Sequence, residues 1–226
     1  MTAHEVTAPS AAVSFAARLR EGTREDHERA EHSAFIVAYL DGRVPLEGYA
    51  ALQGQLLFVY EALETSAREL RDDPVVGPFL DPRLDRVPSL MADLRRLVGD
   101  DWRDRVHPGD ATRAHAARIR DVARSWPAGL IAHHYIRYLG DLSGGRALGA
   151  KARKLYRLDD DGVRFYRFEA IESPKEFKDG YRRLLDAAPW SSDEQARIVD
   201  EARVGFRMTQ AMFEELDRSV VAGTGA

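Results

Sequence analysis

The chain has no cysteine. That excludes disulfides, cysteine-ligated zinc, iron–sulfur clusters and any thiolate-ligated iron centre. No apolar run approaches the roughly 18 residues needed to cross a bilayer, so no membrane anchor is predicted. The opening MTAHEVTAPSAAVSF lacks a basic region followed by an apolar stretch, which argues against a signal peptide and for a cytoplasmic protein. There is little excess charge of either sign: 33 Lys and Arg against 37 Asp and Glu give a net −4. Such a balance argues against bulk nucleic-acid binding, although a local basic patch stays open. Strand-like alternation is scarce, and no internal repeat or low-complexity linker is evident.

What is present is helical periodicity. With 226 residues and 44% apolar content the chain can bury a sizeable core. The pattern predicts an all-α fold, a single helical domain of about eight helices over residues 11–219, between tails at 1–10 and 220–226. A first helix is expected from about Ala11 to Leu40, bent near Gly22 and closed by Asp41-Gly42. A second starts near Pro45 and is broken at Asp72-Asp73-Pro74. Further helices are expected near Pro88–Val98, Ala111–Ser125, Ala128–Tyr156, Pro174–Ala187 and Ser192–Ser219. Ser191-x-x-Glu194 and Ser192-x-x-Gln195 are both capping-box patterns at the last start.

Two segments carry chemistry. TREDHERAEHSAF holds His27 and His32. They are five apart, roughly 140° around a helix, which is wrong for a zinc helix with histidines four apart. No Glu-x-x-His pair of the di-iron type is present. Leu19, Thr23, His27, Ala30 and Ala34 share a stripe, which puts His27 on a buried face among small residues. Glu31, four residues on, can reach its ring. Such a pair suits either a satisfied core histidine or a metal-ligating one with its outer partner. The second segment is LIAHHYIRYLGDLSGGRALGAK. Four glycines, Gly140, Gly144, Gly145 and Gly149, fall within ten residues of a strongly helical context, at about 1 kcal/mol each relative to alanine. They allow either close helix packing or close backbone approach to a flat object. Asp141 sits among them, with Arg137 at salt-bridge spacing and the hydroxyls of Tyr135 and Tyr138 nearby. A buried aspartate needs partners, so an ordered polar network beside a cavity is expected. The string is not a dinucleotide fingerprint.

Tyr135-Ile-Arg-Tyr-Leu-Gly-Asp-Leu-Ser-Gly-Gly145 resembles the signature of the heme oxygenase family. Thr23-x-x-x-His27-x-x-Ala30-Glu31 resembles that family's proximal-histidine segment. Phe58-Val-Tyr60-Glu-Ala-Leu-Glu64, Phe177-Lys-Asp-Gly-Tyr-Arg182 and Phe213-Glu-Glu-Leu216 continue the match in order. The likeness is to the soluble bacterial, biliverdin-producing type. It implies heme b, as both cofactor and substrate, sandwiched between a proximal and a kinked distal helix, with His27 ligating the iron. Gly140, Gly144 and Gly145 would lie over the porphyrin. Asp141, Tyr60 and Arg137 would form the distal network. Arg20, which stands where the family usually has Lys, Lys178, Arg182 and Tyr135 would surround the propionates, and Phe206 would line the pocket. Thr209 stands where the family often has Asn. The implied reaction consumes O2 and electrons and releases biliverdin, ferrous iron and carbon monoxide. No nicotinamide or flavin motif is visible, so the electrons would come from a ferredoxin, a flavodoxin or an NAD(P)H-dependent reductase docking near Lys178 and Arg182. The rival expectations are a heme carrier or sensor that leaves the ring intact, and a helical bundle in which His27 and the glycines only pack.

Overall fold

The fold is organised on two long helices. The computed structural model describes residues 13–221, and all structural statements concern these. It contains no strand and eleven α-helices: α1 Phe15–Gly22, α2 Arg24–Glu31, α3 Ala34–Leu40, α4 Leu46–Glu69, α5 Val87–Val98, α6 Trp102–Arg105, α7 Asp110–Ser125, α8 Pro127–His134, α9 Arg146–Tyr156, α10 Pro174–Ala187 and α11 Ser192–Leu216. Helix α4 buries Tyr49, Leu56, Leu57, Val59, Tyr60 and Leu63 and packs on α5 and α7. Helix α11 packs on α2, α7 and α8, so it is the wall that the N-terminal helices share with the core.

The helix starts follow local chemistry. Ser14, Ser173 and Ser191 each accept a backbone N–H of their own first turn. Of the two capping boxes at α11, Ser191 with Glu194 is the one that caps. The expected single helix to Leu40 is instead three. Thr23 donates its hydroxyl to the Leu19 carbonyl at 2.8 Å, and such back-bonding competes with the helix. Ser33 takes an extended conformation that starts α3 anew. The short α6 was not expected.

The expected unbroken helix Ala128–Tyr156 is also divided. Between α8 and α9 the backbone widens into two π-helical segments, Tyr135–Leu139 and Asp141–Gly145. Ser143 donates to the Leu139 carbonyl at 2.7 Å, occupying an acceptor of the ladder. Widened turns of this kind bend helices and recur at functional sites. At the C-terminus, helical structure continues through a π segment, Asp217–Val221, past the expected limit at Ser219. The expected tail at 1–10 and residues 222–226 lie outside the described residues.

One buried carboxylate shapes the region beside the glycines. Asp93 on α5 accepts the N–H groups of Gly162, Arg164 and Phe165 at 2.8–2.9 Å. Gly162 permits this turn with φ of 104°. Arg86 fastens the next residues: its guanidinium donates to the carbonyls of Phe165 and Arg167 and lies 4.0 Å from the Phe168 ring centre. Phe165 is thereby set edge-on against Tyr60, with ring centres 5.3 Å apart, and Tyr166 comes to the glycine-rich segment.

Candidate heme site

His27 does not lie on a buried face, contrary to the stripe reading. Its side chain is 47% exposed, and Ala34 is exposed too. The breaks at Thr23 and Ser33 divide the stripe, so Thr23, Asp26 and Ala30 carry the buried edge of α2. Asp26 is held there by Arg29 at 2.5 Å and Arg207 at 3.8 Å. His27 stands at the margin of this edge. Its Nδ1 lies 3.4 Å from Glu31 Oε2, as the spacing predicted. Phe206 of α11 meets its ring edge-on, with centres 5.5 Å apart at 84°. The imidazole is therefore oriented from two sides while remaining accessible.

The four glycines divide into two pairs. A Cβ at Gly140 or Gly144 would meet nothing within 4 Å. A Cβ at Gly145 would touch the Tyr166 ring at 3.4 Å, and one at Gly149 would press to 2.8 Å on Tyr166 Cβ. The packing alternative holds for Gly145 and Gly149, which meet Tyr166, whereas Gly140 and Gly144 face open space. A paired measurement follows. Gly149→Ala destabilises the protein by about 1–3 kcal/mol, because Tyr166 cannot retreat from a contact made at its own Cβ. Gly144→Ala stabilises the ligand-free protein by up to about 1 kcal/mol through helix propensity and weakens hemin binding. Urea unfolding and hemin titration of both variants check this; destabilisation by Gly144→Ala would contradict the open face.

Asp141, Tyr60 and Arg137 are brought together. The Tyr60 hydroxyl donates to Asp141 Oδ2. Arg137 donates Nε to that hydroxyl at 3.3 Å, and its Nη2 lies 3.7 Å from Asp141 Oδ1. Burial raises the Asp141 carboxyl above its usual pKa, with Arg137 and Tyr60 pulling the other way. Burial also opposes charge on Arg137, yet Tyr60 and Asp141 hold its pKa above the ordinary value. Asp141 further lines a cleft of about 560 Å³ with Leu142, Arg146, Tyr166 and Phe168. The sequence did not single out Arg86, Phe165 or Tyr166, which brace this network, and no local pattern could have found them.

The basic residues gather as well. Tyr135 is close enough to Arg182 and Arg20 that both counter the rise that burial gives its pKa. Lys178 donates to Ser143 Oγ at 2.9 Å, tying α10 to the π segment. Arg182 reaches Asp179 at 2.8 Å. Arg20 and Lys178 have no carboxylate within 4 Å among the described residues, so this edge presents positive charge from α1 and α10 beside Tyr135. Thr209 is buried and spends its hydroxyl proton on the Gly205 carbonyl at 3.0 Å.

These residues fit a heme. An accessible imidazole, a pair of glycines with an open face, and cations suited to carboxylates are a set that can hold the group.

Comparison with known proteins agrees with this geometry. The family model described as heme oxygenase matches residues 13–215. The chain is 39% identical to heme oxygenase 1 of Synechocystis over 94% of its own length and 89% of that protein. It is 40% identical to the heme oxygenase of Porphyra purpurea, covering 92% and 89% of the two chains. Among solved structures, cyanobacterial heme oxygenase-1 in complex with heme superposes with a TM-score of 0.90 at 39% identity, covering 94% of this chain and 96% of that one. Heme oxygenase-2 of Synechocystis, in complex with heme and NO, gives 0.90 at 33% identity over 94% and 89%. The chain belongs to the heme oxygenase family.

Proposed function

We propose that this chain binds heme between α2 and the π-helical segment and cleaves it to biliverdin, ferrous iron and carbon monoxide, with His27 as the iron ligand. The observation that carries the reading is the combination of an accessible, oriented His27 with the open face of Gly140 and Gly144 and the buried triad beside them. The reaction uses O2 and electrons from a partner protein.

Heme, when bound, supplies both the iron that reduces oxygen and the ring that is opened. Everything else falls to the protein. Glu31 lies on the Nδ1 side of His27, which would orient the ring and leave Nε2 to hold the iron. An imidazole ligand would donate less electron density to the group than a thiolate would. Gly140 and Gly144 let the backbone approach the ring face closely. Arg20, Lys178 and Arg182 would hold the two propionates through charge-assisted hydrogen bonds. Asp141 holds a water and passes a proton from it. Its Oδ2 is occupied by Tyr60 and its charge is braced by Arg137, so the carboxyl keeps one orientation.

The triad distinguishes this reading from a heme carrier, which has no use for a braced, buried carboxyl. The donor of electrons is a ferredoxin, flavodoxin or NAD(P)H-dependent reductase whose acidic face docks on the rim of Lys178 and Arg182. A cytoplasmic location completes the reading and is checked by cell fractionation. No helix among the described residues is long and apolar enough to cross a membrane.

The test is a hemin titration followed by aerobic addition of a reductant. A Soret band that forms and then decays as biliverdin absorbance grows is the expected result. A Soret band that persists means a carrier, and no Soret shift on titration means a structural bundle.

A further inference from the structure

Helix α2 carries His27, yet little apolar surface holds it in place. It runs only from Arg24 to Glu31 and is cut off from its neighbours by the breaks at Thr23 and Ser33. Within it only Asp26 and Ala30 are buried. One buried methyl group is a weak anchor, and so short a helix is not stable by itself. The exposed ion pairs of Arg24 with Glu28 and of Arg29 with Glu25 join residues of α2 to each other. They stiffen the helix without fixing where it sits.

What fixes it comes from α11, at two points. Arg203 donates Nε to the Gly22 carbonyl at 2.7 Å. The Gly22 backbone lies so near α11 that a Cβ there would come within 2.7 Å of Val199 Cγ1. Four residues further on in both segments, Arg207 Nη1 lies 3.8 Å from Asp26 Oδ1. Arg203 and Arg207 share a face of α11 at this spacing. Arg29 reaches the same Asp26 oxygen at 2.5 Å, but it belongs to α2 and cannot tether that helix to another. Phe206, the chain neighbour of Arg207, meets the ring of His27, the chain neighbour of Asp26. The ionic contact and the ring contact are therefore in register.

A carboxylate is a costly choice for such a contact. Asp26 is 6% exposed, and an apolar side chain would fill its place without needing counter-charges. Asp26 also falls in the first turn of α2, where the helix dipole favours an acid. That effect requires neither burial nor a partner on another helix, and Asp26 has both.

We propose that Asp26 is a positioning residue for the iron ligand: held by Arg207, with Arg203 clasping the preceding turn, it fastens α2 to α11 so that His27 meets the heme in one geometry. This rests on the reading of His27 as the ligand.

The experiment uses the full chain, with and without hemin, and compares Asp26→Asn, Arg207→Gln and Arg207→Lys with the native protein. In the hemin-free protein, amide hydrogen exchange reports how firmly α2 is fastened. Asp26→Asn is expected to lower the protection of the α2 amides roughly tenfold, the scale of a hydrogen bond to a charged group. Arg207→Gln lowers it about two- to fivefold, as an exposed partner does, and Arg207→Lys, which keeps the charge, restores it. In the hemin complex, resonance Raman of the ferrous form reads the iron–histidine stretch, and transfer to excess apomyoglobin reads hemin loss. Asp26→Asn is expected to shift or broaden that band and to speed hemin loss about tenfold.

Native protection of α2 in Asp26→Asn overturns the proposal. So does lowered protection with an unmoved iron–histidine band and a native rate of hemin loss, because Asp26 then serves the helix alone. Should Asp26→Asn fail to fold, Arg207→Gln decides by the same two readouts: Arg207 is more than half exposed, so its replacement leaves the fold intact. An Arg207→Gln protein that matches the native one in both readouts overturns the tether. A native complex without an iron–histidine band defeats the reading of His27 as the ligand, and the positioning role with it. That failure is seen before any variant is made, whereas the exchange data report the fastening of α2 independently.

Discussion

Replacing His27 by alanine abolishes reductant-driven ring opening. The expected loss exceeds about 100-fold, since even disturbing the outer partners of a metal ligand costs 10–100-fold. The structure adds a second expectation. The imidazole is half-exposed and contributes little to the buried edge of α2, so His27→Ala folds with near-native stability. The cations at Arg20, Lys178 and Arg182 and the open glycine face remain, and hemin still associates, more weakly and with an altered Soret band. Exogenous imidazole fits the space beside Phe206 and restores the ligated spectrum. Glu31→Ala has a smaller effect, at the low end of that roughly 10–100-fold range. The pair is exposed, with Glu31 61% accessible at 3.4 Å, and exposed pairs are worth less than about 1 kcal/mol. Full activity in His27→Ala refutes the ligand assignment. Loss of folding in the same variant refutes the placement of His27 at the margin.

Asp141→Ala separates binding from chemistry. Hemin affinity stays within about threefold, because Asp141 is paired with Tyr60 and Arg137 and not with the cationic edge. Ring opening slows by roughly 10²–10³, the scale of a lost proton-transfer group. The alanine variant also leaves Arg137, only 12% exposed, without its carboxylate. A buried charge stripped of its partner costs about 3–5 kcal/mol, so this variant melts well below the native protein. Asp141→Asn keeps a hydrogen-bonding oxygen for Tyr60 and recovers part of that stability, but it supplies no acidic proton. Single-turnover spectra with thermal melts of both variants resolve the two effects. If the asparagine variant opens hemin at the native rate, the carboxyl has no role in proton transfer.

The fold was legible where chemistry is local. The Ser191 box marks the start of α11, and helical periodicity located the long helices. The breaks in the first helix were not legible. They depend on Thr23 turning its hydroxyl back on Leu19 and on Ser33 restarting the chain, and periodicity over 30 residues cannot register either choice. That single missed division placed His27 on the wrong face. The candidate site was legible because its distal half is one continuous string, Tyr135 to Gly145, in which Arg137 and Asp141 are one turn apart. Their partner Tyr60 lies 81 residues from Asp141, and only the family likeness connected the two beforehand.

By itself the sequence determined that no thiolate or disulfide takes part, that the chain is helical, and that His27, the glycine-rich string and a set of basic residues occur in the order shared with heme oxygenases. The tertiary structure decided what each glycine does. Gly145 and Gly149 are packing residues because Tyr166 presses on them, and Tyr166 is there because Asp93, on another helix, pins the preceding turn. Gly140 and Gly144 stay open because no side chain was brought to that face. The Asp93 contacts link residues 69–72 positions apart, and their energies are set by burial and geometry that arise only once the chain is folded.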